Sequence, residues 1–238
     1  MYRTILIAAM GFAVQAFPLL VAAENRFEQS IQEFEKADKV TPPPKGAVLF
    51  IGSSSIRFWE TLEQDFYGIE VINRGFGGAQ FRDVIHFLDR VVTPYQPRAI
   101  VIYAGSHDLR RKGGGPGEVL KMFTAFREAV RAKLPRTRVC YISMKPSIMK
   151  WETIHLDKEA NRLIREYCEK TPDAHFIDIW TPMVVESSPP PERYFKPDLN
   201  HPSTEAYKLW ASVIRPFIEP RPTDAQNAQS VLPSDANK

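Results

Sequence analysis

Three stretches of this 238-residue chain place reactive residue types where they could act together. The first is Gly52-Ser53-Ser54-Ser55-Ile56, directly after the apolar run 47–51. A serine at a strand-to-helix turn presents its hydroxyl to a cleft, and its backbone N–H faces the place where negative charge develops on an acyl carbonyl. The second is Asp198-Leu199-Asn200-His201. An Asp and a His three apart on a turn can meet, so that the carboxylate fixes the imidazole tautomer and the other ring nitrogen is left as a base. The third is Gly105-Ser106-His107-Asp108, which ends another apolar run. Each stretch alone also has a plain structural reading. The serines can cap a helix or line a solvated loop, and Asp198 can cap a turn with His201 merely solvated. His86, His155 and His175 fall inside predicted helices or strands and read as structural or solvated. Nothing places a base beside Cys140 or Cys168, and no His/Cys cluster has metal-ligand spacing, so no metal or cofactor is implied.

The elements that must position these residues follow from periodicity. Phe27, Ile31, Phe34 and Ala37 recur at helical spacing within 24–39, and Pro42-Pro43-Pro44 stops that helix. Short apolar runs at 47–51, 71–72, 99–104, 138–143 and 175–180 predict five buried strands, three of them closely followed by glycine. Helical patterns fill 81–92, 117–134, 153–170 and 203–218, the last with Ser203 as N-cap after Pro202. Alternating strands and helices imply an α/β fold, a three-layer α/β/α sandwich on a five-stranded parallel sheet; the order expected for it is 2-1-3-4-5. Ligands of such sheets bind beyond the carboxyl ends of the strands, which is where all three stretches lie. The loop from Lys145 to Trp151 lies at the same end. Its two readings are a substrate contact through Lys145 or Trp151, and an ordinary loop with Trp151 packed on the following helix.

Taken together, from Ala47 to Ile218, the motifs resemble the SGNH/GDSL hydrolases, and most a bacterial subgroup similar to platelet-activating-factor acetylhydrolases and lysophospholipase-like esterases. The resemblance implies the flavodoxin-like fold of that superfamily. It aligns Gly52-Ser53-Ser54 with the family's first block, making Ser54 the implied nucleophile. Asn73-Arg74-Gly75-Phe76-Gly77-Gly78 matches the second block, with the Gly78 N–H in the oxyanion hole. Asp198 and His201 match the last block and complete the triad. The third block departs: where the family has Gly-x-Asn-Asp, with the Asn donating to the oxyanion, this chain has His107. The α/β-hydrolases share the order Ser, Asp, His but carry a G-x-S-x-G elbow, and here Ile56 stands two residues after Ser54. The expected activity is hydrolysis of a short-acyl or acetyl ester of a lipid or carbohydrate through an acyl-enzyme on Ser54. The alternatives are a weakly active or non-catalytic envelope or carbohydrate-binding protein, because of His107, and an acyltransferase.

Composition sets the remaining bounds. Hydrophobic residues at 44% and charged residues at 25% are those of a soluble domain, and a net charge of +3 without basic blocks suggests no nucleic-acid partner. Arg3, the apolar stretch 4–20 and Val21-Ala22-Ala23 read as a signal peptide spanning 1–23. The expected product is a secreted or periplasmic domain over 24–219 that keeps no membrane insertion after cleavage, followed by a disordered tail at 220–238. An uncleaved anchor is the other reading of the first segment. In an exported protein Cys140 and Cys168 could pair, or could be two buried thiols.

Overall fold

A computed structural model describes residues 26–220. The signal peptide and the tail beyond 220 lie outside the described residues, so both remain expectations from sequence. Five parallel strands, β1 (Val48–Gly52), β2 (Val71–Gly75), β3 (Ala99–Tyr103), β4 (Arg138–Ile142) and β5 (Ala174–Ile177), form one sheet in the order β2-β1-β3-β4-β5. The three central strands β1, β3 and β4 are buried at every position, which is why their sequences are unbroken apolar runs and do not alternate.

Successive residues of β1 serve opposite layers. Leu49 and Ile51 pack with α1 (Glu28–Val40), α4 (Phe81–His86), α5 (Leu88–Val91), α7 (Pro116–Lys133) and α8 (Ile154–Glu169). Val48 and Phe50 pack against α2 (Ser54–Arg57), α3 (Leu62–Asp65), α9 (Trp180–Met183) and α10 (Thr204–Ile218). Val119, Phe123, Phe126 and Val130 make the buried stripe of α7 at helical spacing. On the other face Trp59 stacks on Tyr207 and meets Trp210 edge-on. α6 (Ser106–Arg110) is a single turn at the end of β3.

The structure alters two expectations. The helix expected over 81–92 is two pieces, broken at buried Phe87, whose backbone sits at φ −95°, ψ 9°. β5 ends at Ile177, and Trp180 opens a helical turn instead of closing a strand. Of the two readings of Cys140 and Cys168, the structure has the buried thiols and not the disulfide. As expected, the Ser203 hydroxyl caps α10 by accepting from Ala206 N at 3.2 Å. Among the described residues no helix is long and apolar enough to cross a membrane.

Candidate active site

The register places Gly52 level with Gly75 on one side and Tyr103 on the other, so the turns after β1, β2 and β3 open at one edge. Gly52 has φ +128°, and a Cβ there would lie 2.2 Å from the Tyr103 carbonyl oxygen. Only glycine lets the chain leave β1 this close to β3. Ser53 N then donates to that same carbonyl, at 3.0 Å, and Ser54 begins α2. Asn73 fixes the turn from β2: its amide nitrogen donates to Ile56 O at 2.8 Å and its amide oxygen accepts from Gly75 N at 2.9 Å.

His201 arrives from the far end of the chain. Its Nε2 lies 2.9 Å from Ser54 Oγ, and its Nδ1 is hydrogen-bonded to Asp198 Oδ2. The other oxygen, Asp198 Oδ1, accepts from the backbone N–H groups of Asn200 (2.9 Å) and His201 (2.8 Å). Between them Leu199 takes φ +54°, a conformation uncommon outside glycine, which closes the turn that joins the two side chains. Burial disfavours charge on Asp198, but the His201 ring and these two backbone donors outweigh it and hold the carboxyl down at about 2. An ionised carboxylate can only accept, so Nδ1 carries the proton and Nε2 is left to accept from the Ser54 hydroxyl. Ser54 and His201 are half-buried, Asp198 is exposed, and Phe58 packs edge-on against the imidazole at 5.0 Å.

The second and third turns meet beside this array. Gly78 has φ +81° with open space where a Cβ would stand, and its carbonyl accepts from Arg26 at 3.1 Å. Asp108, almost wholly buried, accepts from Phe81 N through both oxygens at 3.3 Å and so ties α6 to the start of α4, just after Gly78. Burial pushes the Asp108 carboxyl up to about 6. His107 stands at the surface end of α6, and no side-chain hydrogen bond engages its ring among the described residues. Desolvation, then the positive charges of Lys150, Arg26, Lys145 and Arg110, lower its pKa, so the ring is neutral at pH 7.

The loop after β4 braces the site. Lys145 is only 5% exposed, and its Nζ donates to Ser55 Oγ (3.2 Å) and Tyr103 Oη (3.1 Å). Ser147 Oγ contacts Asn200 Oδ1 (3.0 Å), and Met149 N donates to Leu199 O (3.1 Å), fastening the loop to the Asp198–His201 turn. Lys150 Nζ donates to Ser106 Oγ at 2.8 Å. A lysine set directly after the buried run 138–144 was the available signal, since charge in such a place needs built partners.

A family model described as the GDSL-like lipase/acylhydrolase family matches residues 51–209. The chain belongs to that family. It is a carboxylic ester hydrolase by this membership. The match contains Ser54, Gly78, His107, Asp198 and His201. No curated protein matches the chain. Among solved structures, a Streptococcus pneumonia protein named as a platelet activating factor shares 18% identity at a TM-score of 0.68, over 80% of this chain and 92% of that one. A GDSL-like lipase from Bacteroides thetaiotaomicron shares 20% identity at 0.63, over 79% and 97%. A mutant acetyl-xylooligosaccharide esterase from Geobacillus Stearmophilus shares 17% identity at 0.59, over 75% and 96%. These likenesses establish that this GDSL-like chain has their fold.

Proposed function

We propose that the chain is an exported serine esterase that removes a short acyl group, acetyl above all, from a lipid or carbohydrate by way of an acyl-enzyme on Ser54. The observation that carries this reading is the hydrogen-bonded series Ser54 Oγ, His201 Nε2, His201 Nδ1, Asp198 Oδ2. Ser54 Oγ attacks the acyl carbonyl as its proton passes to His201 Nε2. Asp198 stabilises the imidazolium through Nδ1–H. The oxyanion that forms is met by the N–H groups of Ser54 and Gly78 and by the His107 ring N–H, which replaces the amide of the family pattern. His201 returns its proton to the departing alcohol. Water then attacks the acyl-enzyme, giving its proton to His201, and the carboxylic acid leaves as that proton returns to Ser54 Oγ.

The choice of a short acyl group is supported by similarity to the acetyl-xylooligosaccharide esterase and to a carbohydrate esterase from Talaromyces cellulolyticus, the latter 16% identical at a TM-score of 0.58. Export is supported by the character of residues 1–23. The test is a series of p-nitrophenyl esters from acetate to palmitate, combined with labelling by a fluorophosphonate probe. Turnover greatest on acetate, with the label on Ser54, is the expected result. A label on another residue, or none with turnover intact, overturns the assignment.

A further inference from the structure

The wall of the site next to His107 holds more positive charge than its own residues neutralise. Lys150 Nζ and Arg110 Nη1 both approach one neutral oxygen, Ser106 Oγ, at 2.8 and 3.4 Å. Arg110 has a counter-ion: both of its terminal nitrogens bond Asp157, whose side chain is only 3% exposed. Lys150 has none within ion-pair distance among the described residues, and neither has Lys145, whose partners are the hydroxyls of Ser55 and Tyr103. Burial pushes the Tyr103 hydroxyl up to about 12, so it remains neutral. The nearest carboxylates are already engaged, Asp157 with Arg110 and Asp198 with His201.

Two ammonium groups in one wall without a carboxylate partner oppose each other. Desolvation first, then for Lys150 the charge of Lys145, brings each down to about 8 against the pull of the more distant Asp157. A negative group arriving there would relieve both costs. The two lysines also flank the candidate site. Lys145 touches the residue after Ser54, and Lys150 touches the residue before His107. Lys145 is sealed in, whereas Lys150 is only half-buried and can still meet a ligand.

Resting on the esterase reading above, we propose that the substrate is an ester bearing a negatively charged oxyanion group, carboxylate or phosphate, which seats against Lys150 beside His107 while Lys145 supplies charge from beneath. The positive wall then selects for charge on the substrate, and a neutral acetyl ester is a poor stand-in for the true one.

Two matched ester pairs test this on the full chain. Mono-4-nitrophenyl adipate against 4-nitrophenyl methyl adipate places the charge on the acyl half. 4-Acetoxybenzoate against methyl 4-acetoxybenzoate places it on the alcohol half. Each ratio of kcat/KM, charged over neutral, is divided by the ratio of the hydroxide-catalysed rates. In at least one pair the corrected ratio is expected to exceed about 10 at low salt and to shrink as salt rises. Lys150→Met is expected to reduce that ratio by about 10-fold, and Lys150→Arg to keep most of it. A ratio near or below one in both pairs overturns the proposal. So does a Lys150→Met variant that loses charged and neutral turnover equally, since the lysine would then serve the transition state or the fold. Hydrolysis of none of the four esters overturns the esterase reading itself, whereas neutral turnover without charge preference overturns this inference alone.

Discussion

The buried ammonium of Lys145 donates to the hydroxyl of Ser55, 3.2 Å away, and Ser55 is the residue next to Ser54, the proposed nucleophile. The same residue is gripped on its other side, where Tyr207 Oη donates to the Ser55 carbonyl at 2.9 Å. Two neighbouring serines therefore have opposite environments. Ser54 is half-buried with His201 at its oxygen, whereas Ser55 is 1% exposed and committed to Lys145.

Substitution separates the two serines. Ser54→Ala is expected to lower turnover by roughly 10⁴-fold or more, because a triad without its nucleophile retains only binding and oxyanion stabilisation. Its folding should be intact, since the hydroxyl faces the cleft. Ser55→Ala is expected to keep measurable turnover but lose stability, by about 1–3 kcal/mol, because Lys145 forfeits a buried partner. Chemical denaturation and ester hydrolysis on both variants check this. Full activity in Ser54→Ala with none in Ser55→Ala would reverse the two assignments.

Lys145 also predicts how stability depends on pH. Its folded pKa, about 8, is below that of an unfolded lysine because burial disfavours the ammonium. Between about pH 8 and about pH 10.5 the unfolded chain binds the proton more readily than the folded one, so this group makes stability rise as pH rises through that window. Asp157 and Asp198 oppose the shift and Arg110 adds to it. The difference in unfolding free energy between the wild type and Lys145→Met is expected to change by about 3 kcal/mol in favour of the wild type from pH 7 to pH 11. A flat difference curve means that Lys145 is not held as a buried ammonium.

Two glycines of the site predict different outcomes on substitution by alanine. At Gly52 the added carbon would meet the Tyr103 carbonyl at 2.2 Å, on a backbone with φ +128°. Neither strand can yield without breaking the register of β1 and β3, so Gly52→Ala is expected to cost several kcal/mol, at the upper end of single substitutions. At Gly78 nothing lies within 4 Å of the added carbon, and only φ +81° is unfavourable. Gly78→Ala is expected to fold at a cost of about 1–2 kcal/mol. With the Gly78 N–H as the proposed oxyanion donor, its turnover should fall by roughly 10²-fold as that peptide tilts. Melting curves and turnover of the pair decide, and a well-folded Gly52→Ala would contradict the close-approach argument.

The sequence made the sheet legible because central strands buried on both faces leave unbroken apolar runs such as Val48–Ile51 and Ala99–Tyr103. Alternation announced a parallel sheet covered on both faces but does not set strand order; the expected order 2-1-3-4-5 went with the flavodoxin-like fold, and the structure has it. Ser54, Asp198 and His201 were legible as motifs, and the structure brings them within hydrogen-bond reach of one another. The bracing by Lys145, Ser147 and Asp108 was not. These contacts join loops far apart in the chain, 90 residues for Lys145 with Ser55, and no local periodicity reports them. The break at Phe87 was hidden for a related reason: the residues on either side keep a helical pattern, while Phe87 itself is buried edge-on to Phe76, a tertiary contact that periodicity does not report.

The departure at His107 supplies the sharpest prediction about turnover. Desolvation and the cations around it lower the pKa of this ring, so at pH 7 it is neutral and one of its nitrogens carries a proton to donate. If that N–H meets the oxyanion, the contact forms mainly in the transition state. His107→Ala is then expected to lower kcat by roughly 10²-fold with KM little changed. His107→Asn is expected to match or exceed the wild type, because an amide is the donor found in the family pattern. Acidification adds a second readout. An imidazolium would donate more strongly, but its charge would oppose the one that develops on His201, and it would also be repelled by Lys150 and Lys145. Activity that depends on neutral His107 should therefore fall at low pH with one more ionisation than in His107→Asn. The pH profiles of kcat for the two proteins make the comparison. Identical profiles, with His107→Ala as active as the wild type, mean that the ring faces away and that the N–H groups of Ser54 and Gly78 carry the oxyanion alone. Loss of all activity in a folded His107→Asn means that the ring transfers a proton, and His201 is then not the only base.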